Sequence, residues 1–258
     1  MTRTVLDTAL MLQVMAGAEA ADPLTVGRAP PDFVAATREA GDLKGVRIAW
    51  RPRLGNSAVA ADVLSSCDAA MKTFAALGAA VAEHDGAFEN PERLWYVINS
   101  AYRRAQFSDR VRDHRAIMCP TFLRQFDSSQ NYSAADLYDA IFARTRLFRQ
   151  IQSWFETCDV IAMPTLSRTA LPIDQDFFGP IDIDGEPAPN LRAAWYPYTM
   201  PFNLTGNPAV SLPCGFDKAG LPIGVQLVGA CGADALLLKC AAAFERTQPW
   251  GERRPNLP

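Results

Sequence analysis

The sequence predicts an α/β protein, and three local patterns predict it. VRIAW (46–50) is a short β-branched run bounded by polar residues, as a buried strand would be. Residues 59–77 then place Val59, Val63, Cys67, Ala70, Phe74 and Leu77 on one helical face, and Gly78 stops the helix. AAVAEH (79–84) reads as the next strand. Two strands joined through a helix make a parallel crossover unit, because a helix-length connection returns the chain to the same end of the sheet.

The remaining elements follow in order. Thr4 and Asp7 have the spacing of a capping box, and Val5, Leu10, Leu12 and Met15 recur at helical intervals up to Gly17. So apolar a helix needs a partner surface, and nothing precedes it in the sequence. A proline-containing connection is expected over 22–44. Two longer helices are predicted at 91–117 and 133–157. The second opens on the capping box Ser133-x-x-Asp136 and runs through Leu137, Ile141, Phe148, Ile151 and Phe155.

CDVIAMPT (158–165) is strand-like. Residues 166–198 have no clear period and contain five prolines, so a long lid or binding loop is expected there. AVSLPCG (209–215) and PIGVQLVG (222–229) read as strands flanking a turn. A last helix spans about 233–247, with Leu237, Leu238, Ala241 and Phe244 apolar. There is no internal repeat.

Composition excludes several function classes. The chain has 258 residues and a net charge of −3, so no global field draws it to nucleic acid or an anionic membrane. Arg103, Arg104, Arg110, Arg112 and Arg115 are interleaved with Asp109 and Asp113, which makes a solvated mixed-charge face rather than a nucleic-acid stripe. No apolar run is long enough for a membrane span, and the N-terminus does not read as a signal peptide. Six cysteines without a CxxC pair, and only two histidines, give no zinc pattern. No cofactor or metal is expected. Scattered thiols in apolar surroundings suit a reducing cytoplasm.

Three blocks are more specific than this patterning: MTRTVLDTALMLQVMAG (1–17), PYTMPFNLTGNPAVSLPCG with GLPIGVQLVG (197–229), and AAAFERTQPW (241–250). In this order and spacing the chain resembles the amidase-signature family, over the part that follows its serine-rich core. The resemblance implies part of a single α/β domain, a mixed β-sheet sandwiched between helices, with residues 1–258 as its C-terminal part and the N-terminal catalytic core absent. It also implies hydrolysis of carboxylic amides by a lysine, a relay serine and a nucleophilic serine that forms an acyl-enzyme. A neutral lysine would deprotonate the serine relay, and backbone N–H groups would hold the oxyanion.

The family's GGSSGGS-like run is not in this sequence. Ser65-Ser66 lies in a helical pattern and Ser128-Ser129 in a polar turn. Gly55-Asn-Ser57 lacks the second glycine of a nucleophile elbow. The four lysines, Lys44, Lys72, Lys218 and Lys239, sit in solvent-facing contexts. No catalytic residue is therefore assigned within the chain.

The resemblance places residues 195–213 beside the substrate pocket. Trp195, Tyr198, Thr199 and Asn203 are the substrate-binding candidates, as a wall for the acyl or leaving group. The alternative is that this block serves the core, with Asn203 and Asn207 satisfying turn backbone. The aminoacyl-tRNA amidotransferase A chain resembles the same region but carries an aspartate that pairs with the α-amino group of glutamine. The resemblance places Tyr196 at that position, where it supplies no negative charge, which points to apolar or aromatic amides instead. Three readings follow: a truncated amidase inactive alone, a non-catalytic ligand-binding or scaffold protein, and the C-terminal half of a split enzyme, amidase or amidotransferase. The partners implied are a small amide substrate and the missing N-terminal half, in cis or in trans.

Overall fold

The computed structural model describes residues 1–27, 29–84, 86–129, 131–188 and 194–252. The expected crossover unit is present: β1 (Arg47–Trp50), α3 (Ala61–Ala76) and β2 (Ala80–Glu83), with β1 and β2 parallel and Ile48 opposite Val81. β3 (Val160–Pro164) pairs parallel to the other side of β1. β7 (Pro222–Gly229) then runs antiparallel to β3, and β6 (Ala209–Phe216) antiparallel to β7. The sheet is therefore mixed, in the order β2-β1-β3-β7-β6. Every residue of β3 is buried, so helices cover both faces of the sheet at its centre.

The predicted apolar face of α3 is the buried one: Val63, Cys67, Ala70 and Phe74 all face the core. Against it lies α8 (Asp234–Thr247), whose Phe244 stacks on Phe74 with ring centroids 4.9 Å apart. An offset aromatic pair of this kind adds about 0.5–1.5 kcal/mol beyond the area it buries. Trp50 donates its indole N–H to Asp68 at 3.0 Å, fixing β1 to the same helix. On the outer side, α4 (Glu92–His114) packs on α6 (Ala134–Trp154), and α6 sends Ile151 into the common core. The capping box at Ser133 and Asp136 forms as its spacing requires.

Four expectations are corrected. α1 (Val5–Met15) is not without a partner. It packs on α2 (Phe33–Arg38) and α8 through Val5, Ala9 and part-buried Leu12, whereas Leu10 and Met15 point outward with Leu6, Met11 and Val14. The buried stripe is carried by alanine and valine, and hydrophobicity alone does not reveal which face that is. The 22–44 connection contains α2, capped by the Asp32 side chain on the Ala35 N–H at 2.8 Å. The 91–117 helix ends at His114 in a short 3-10 turn and is followed by a separate helix, α5 (Pro120–Asp127), with proline in its first turn.

The fourth correction concerns the proposed long loop. It contains a hairpin, β4 (Ile181–Ile183) and β5 (Glu186–Ala188), closed by Asp184-Gly185. Both turn residues have positive φ, +55° and +87°, the primed turn that matches strand twist. The arginine-rich face is mixed in charge, as its spacing suggests. Arg112 meets Asp109 and Asp113, and Arg115 pairs with Asp127. Among the described residues no helix is long and apolar enough to cross a membrane.

Candidate functional site

The Tyr198–Gly206 segment is built on a short helix, α7 (Met200–Thr205), started by Pro201 in its first turn and ended by Gly206 at φ +74°. Met200, Pro201, Phe202 and Leu204 are all buried, so this block is a plug in the core as well as a candidate wall. Tyr198 is wholly buried. Its hydroxyl donates to the Pro52 carbonyl at 2.9 Å, and its own carbonyl accepts from Gln226 Nε2 at 3.1 Å. Burial raises the phenol above its ordinary range, which keeps it a neutral donor.

Trp195 is half-buried, and its indole N–H donates to the Arg168 carbonyl at 3.1 Å. Its carbonyl in turn accepts the Ser167 N–H at 2.9 Å. Thr199 precedes α7 and bonds back to the Tyr196 carbonyl at 3.3 Å. Asn203 lies exposed on α7. Asn207 serves the backbone: its amide donates to Gly229 at 2.8 Å, and its oxygen accepts from Thr205 at 2.7 Å.

A groove of about 910 Å³ follows the edge of the sheet at β6. Five consecutive residues of that strand, Ala209–Pro213, line it. Successive strand residues face opposite ways, so only an edge can present all five. Trp195 enters this groove, while Tyr198, Thr199 and Asn203 do not line it. The structure thus separates the four sequence candidates instead of gathering them.

Sequence reasoning missed the polar lining. Thr165, directly after β3, and Ser211, on β6, hold their hydroxyls 2.7 Å apart in the groove. Between them a Cβ on Gly224 would lie 2.9 Å from the Ser211 oxygen and 3.0 Å from the Thr165 oxygen, so glycine there leaves room for the pair. Arg168 and Thr169 continue the wall. Thr169 donates to Asp217 at 2.6 Å, and Asp217 also accepts the N–H groups of Ala219 and Leu221 at 2.8 Å. The Thr169 hydroxyl and these backbone donors hold the Asp217 carboxyl below the usual carboxylate range. The alternation of Ser211 with Val210 and Leu212 was the available signal, but pairing it with Thr165 requires the sheet order.

The hydroxyl pair has no adjacent base among the described residues. The groove lining there holds no lysine or histidine, and Lys44, Lys72 and Lys218 are exposed elsewhere. Serine or threonine needs such a base to become a nucleophile, so these hydroxyls are suited to hydrogen bonding instead. Among the described residues no group of three or more His, Cys, Asp or Glu side chains could hold a metal ion.

A family model described as Amidase matches residues 1–238. The chain belongs to the amidase family. A curated amidase relative, the acylamidase of Rhodococcus erythropolis, is 33% identical over 98% of this chain and 53% of its own length. The A chain of the glutamyl-tRNA(Gln) amidotransferase of Thermosynechococcus vestitus is 30% identical over 98% of this chain and 56% of its own. Among solved amidase structures, a bacterial aryl acylamidase of the amidase signature family superposes with a TM-score of 0.82 at 26% identity, covering 98% of this chain and 55% of that one. The 6-aminohexanoate cyclic dimer hydrolase shares the fold, with a TM-score of 0.74 at 23% identity over 99% of this chain and 55% of that one. The chain spans about half the length of the curated relatives it matches.

Proposed function

We propose that this chain is the C-terminal portion of an amide hydrolase. A portion outside these 258 residues, joined in cis or in trans, brings the lysine and serines, and the chain alone does not cleave amides. The observation that carries the reading is the groove at the open β6 edge, mainly apolar and holding the Thr165–Ser211 hydroxyl pair. An edge strand beside a large groove is a place where further chain adds. Domain extent follows: residues 1–258 form one part of a single domain whose catalytic core lies elsewhere.

In this reading Trp195 forms an aromatic wall of the groove, and Tyr198 positions the segment through Pro52, while Thr199 and Asn203 stand outside the groove. Tyr196, which supplies no negative charge, favours apolar or aromatic amides over glutamine. The likeness to a solved aryl acylamidase supports aromatic amides. Six free cysteines fit a cytoplasmic setting that keeps thiols reduced. Neither nucleic acid nor a membrane is required.

The test is a serine-directed fluorophosphonate probe, applied to the chain alone and to the chain co-expressed with the N-terminal half of an acylamidase. Labelling only after co-expression, and only on the added half, is expected. A labelled serine in this chain by itself overturns the reading.

A further inference from the structure

Helix α3 and strand β6 approach each other very closely. A Cβ built on Gly215 would lie 2.5 Å from the Ser66 hydroxyl, so only glycine lets these two elements come so near. One residue along on each element, Cys67 and Cys214 bring their sulfurs to 3.9 Å. Cys67 is fully buried and also touches the Gly224 carbonyl at 3.8 Å. Cys214 is half-buried. The β6–β7 ladder pairs Pro213 with Gly224 and Gly215 with Ile223, which leaves Cys214 as the extra residue of a bulge.

We propose that Cys67 and Cys214 form an oxidation site that closes to a disulfide when a peroxide reaches Cys214. The sulfurs must move from 3.9 Å to about 2.0 Å, a change that side-chain rotation supplies where a bulge gives the backbone play. Cys67 gives up only its weak contact with Gly224.

The order of events follows exposure. The Cys214 thiolate attacks one peroxide oxygen, the O–O bond breaks, and hydroxide leaves; Cys214 is then a sulfenic acid. The Cys67 sulfur, losing its proton, attacks the Cys214 sulfur and expels hydroxide. Two thiols and one hydrogen peroxide thus give one disulfide and two waters. The contact with Cys214 and burial keep Cys67 protonated, so the second step is the slow one. The product would tie α3 to the edge strand across 147 residues of chain.

The experiment treats the full chain with hydrogen peroxide, alkylates remaining thiols under denaturing conditions, and digests with trypsin without reductant. The expected product links the peptide ending at Lys72 to the peptide ending at Lys218, two hydrogens lighter than their sum, and dithiothreitol separates them. The melting temperature of the oxidised wild type should rise. Cys214→Ser, which alters a half-exposed position, should give neither the link nor the rise, and Cys67→Ala should behave alike. Recovery of both residues as alkylated thiols, while exposed Cys119 and Cys231 are oxidised, overturns the proposal. So does Cys214 recovered as sulfinic acid without any link.

Discussion

The Asp184 carboxylate accepts the backbone N–H of Ala61 at 2.7 Å, tying the β4–β5 hairpin to the first turn of α3. The residue that should cap this helix, Ala60, has no side-chain acceptor, so Asp184, 123 positions beyond Ala61, takes the role. Asp184→Ala should cost about 1–2 kcal/mol, from the lost cap and from alanine at positive φ. Asp184→Asn keeps both the acceptor and the tolerance for that φ, and should stay within about 0.5 kcal/mol of wild type. Urea unfolding of the two variants separates these outcomes; equal losses would show that the contact contributes nothing specific.

The Asp159 carboxylate takes the Arg47 backbone N–H at 2.8 Å and two guanidinium N–H groups at 3.2 and 2.8 Å. Hydrogen bonds from the Arg47 side chain are the largest reason its carboxyl titrates below the usual range. A depressed carboxyl stabilises the fold above the ordinary carboxylate range and loses that contribution as pH falls through its folded value. Asp159→Asn should therefore cost about 0.5–1.5 kcal/mol at neutral pH, discounted for the partial exposure of the pair. The difference from wild type should disappear in acid, as thermal melts across a pH series would show.

Glu245 on α8 has the opposite sign. Its carboxylate accepts the Val5 N–H at 3.1 Å, yet burial outweighs that bond and raises its titration above the ordinary range. Its contribution is then complete below the usual carboxylate range and declines as pH rises through the raised value. Glu245→Gln keeps an acceptor for Val5 and removes the charge. Between about pH 4 and 7 its melting temperature should gain on that of wild type. Parallel profiles would sink the assignment.

Tyr198→Phe removes the donor to Pro52 from a fully buried site. Losing this hydrogen bond at a buried hydroxyl should cost about 1–2 kcal/mol. Chemical denaturation measures it. A change below about 0.3 kcal/mol would mean that the carbonyl finds another partner.

Much of the fold was legible because its signals are local. α3 announces itself through Val63, Cys67, Ala70 and Phe74, and α6 through Ser133 and Asp136. The Asp184-Gly185 turn was equally local, flanked by alternating Ile181 and Ile183, yet the surrounding prolines obscured it. The groove was illegible for a different reason. Thr165 and Ser211 stand 46 residues apart and meet only because β7 lies between β3 and β6 with their strand ends aligned. Tyr198 and Trp195 are near neighbours in sequence, but one turns into the core and the other toward the groove, which spacing alone does not reveal.

The position of β3 also sets a schedule for synthesis. This wholly buried strand gains its parallel neighbour, β1, from chain already made, but its antiparallel neighbour, β7, ends only at Gly229. At about 5–20 residues per second, a ribosome leaves one flank of the central strand open for several seconds. During that interval VIAMP presents an apolar, half-paired strand to which a chaperone can bind, and a slowed codon between Pro164 and Pro222 would lengthen its exposure.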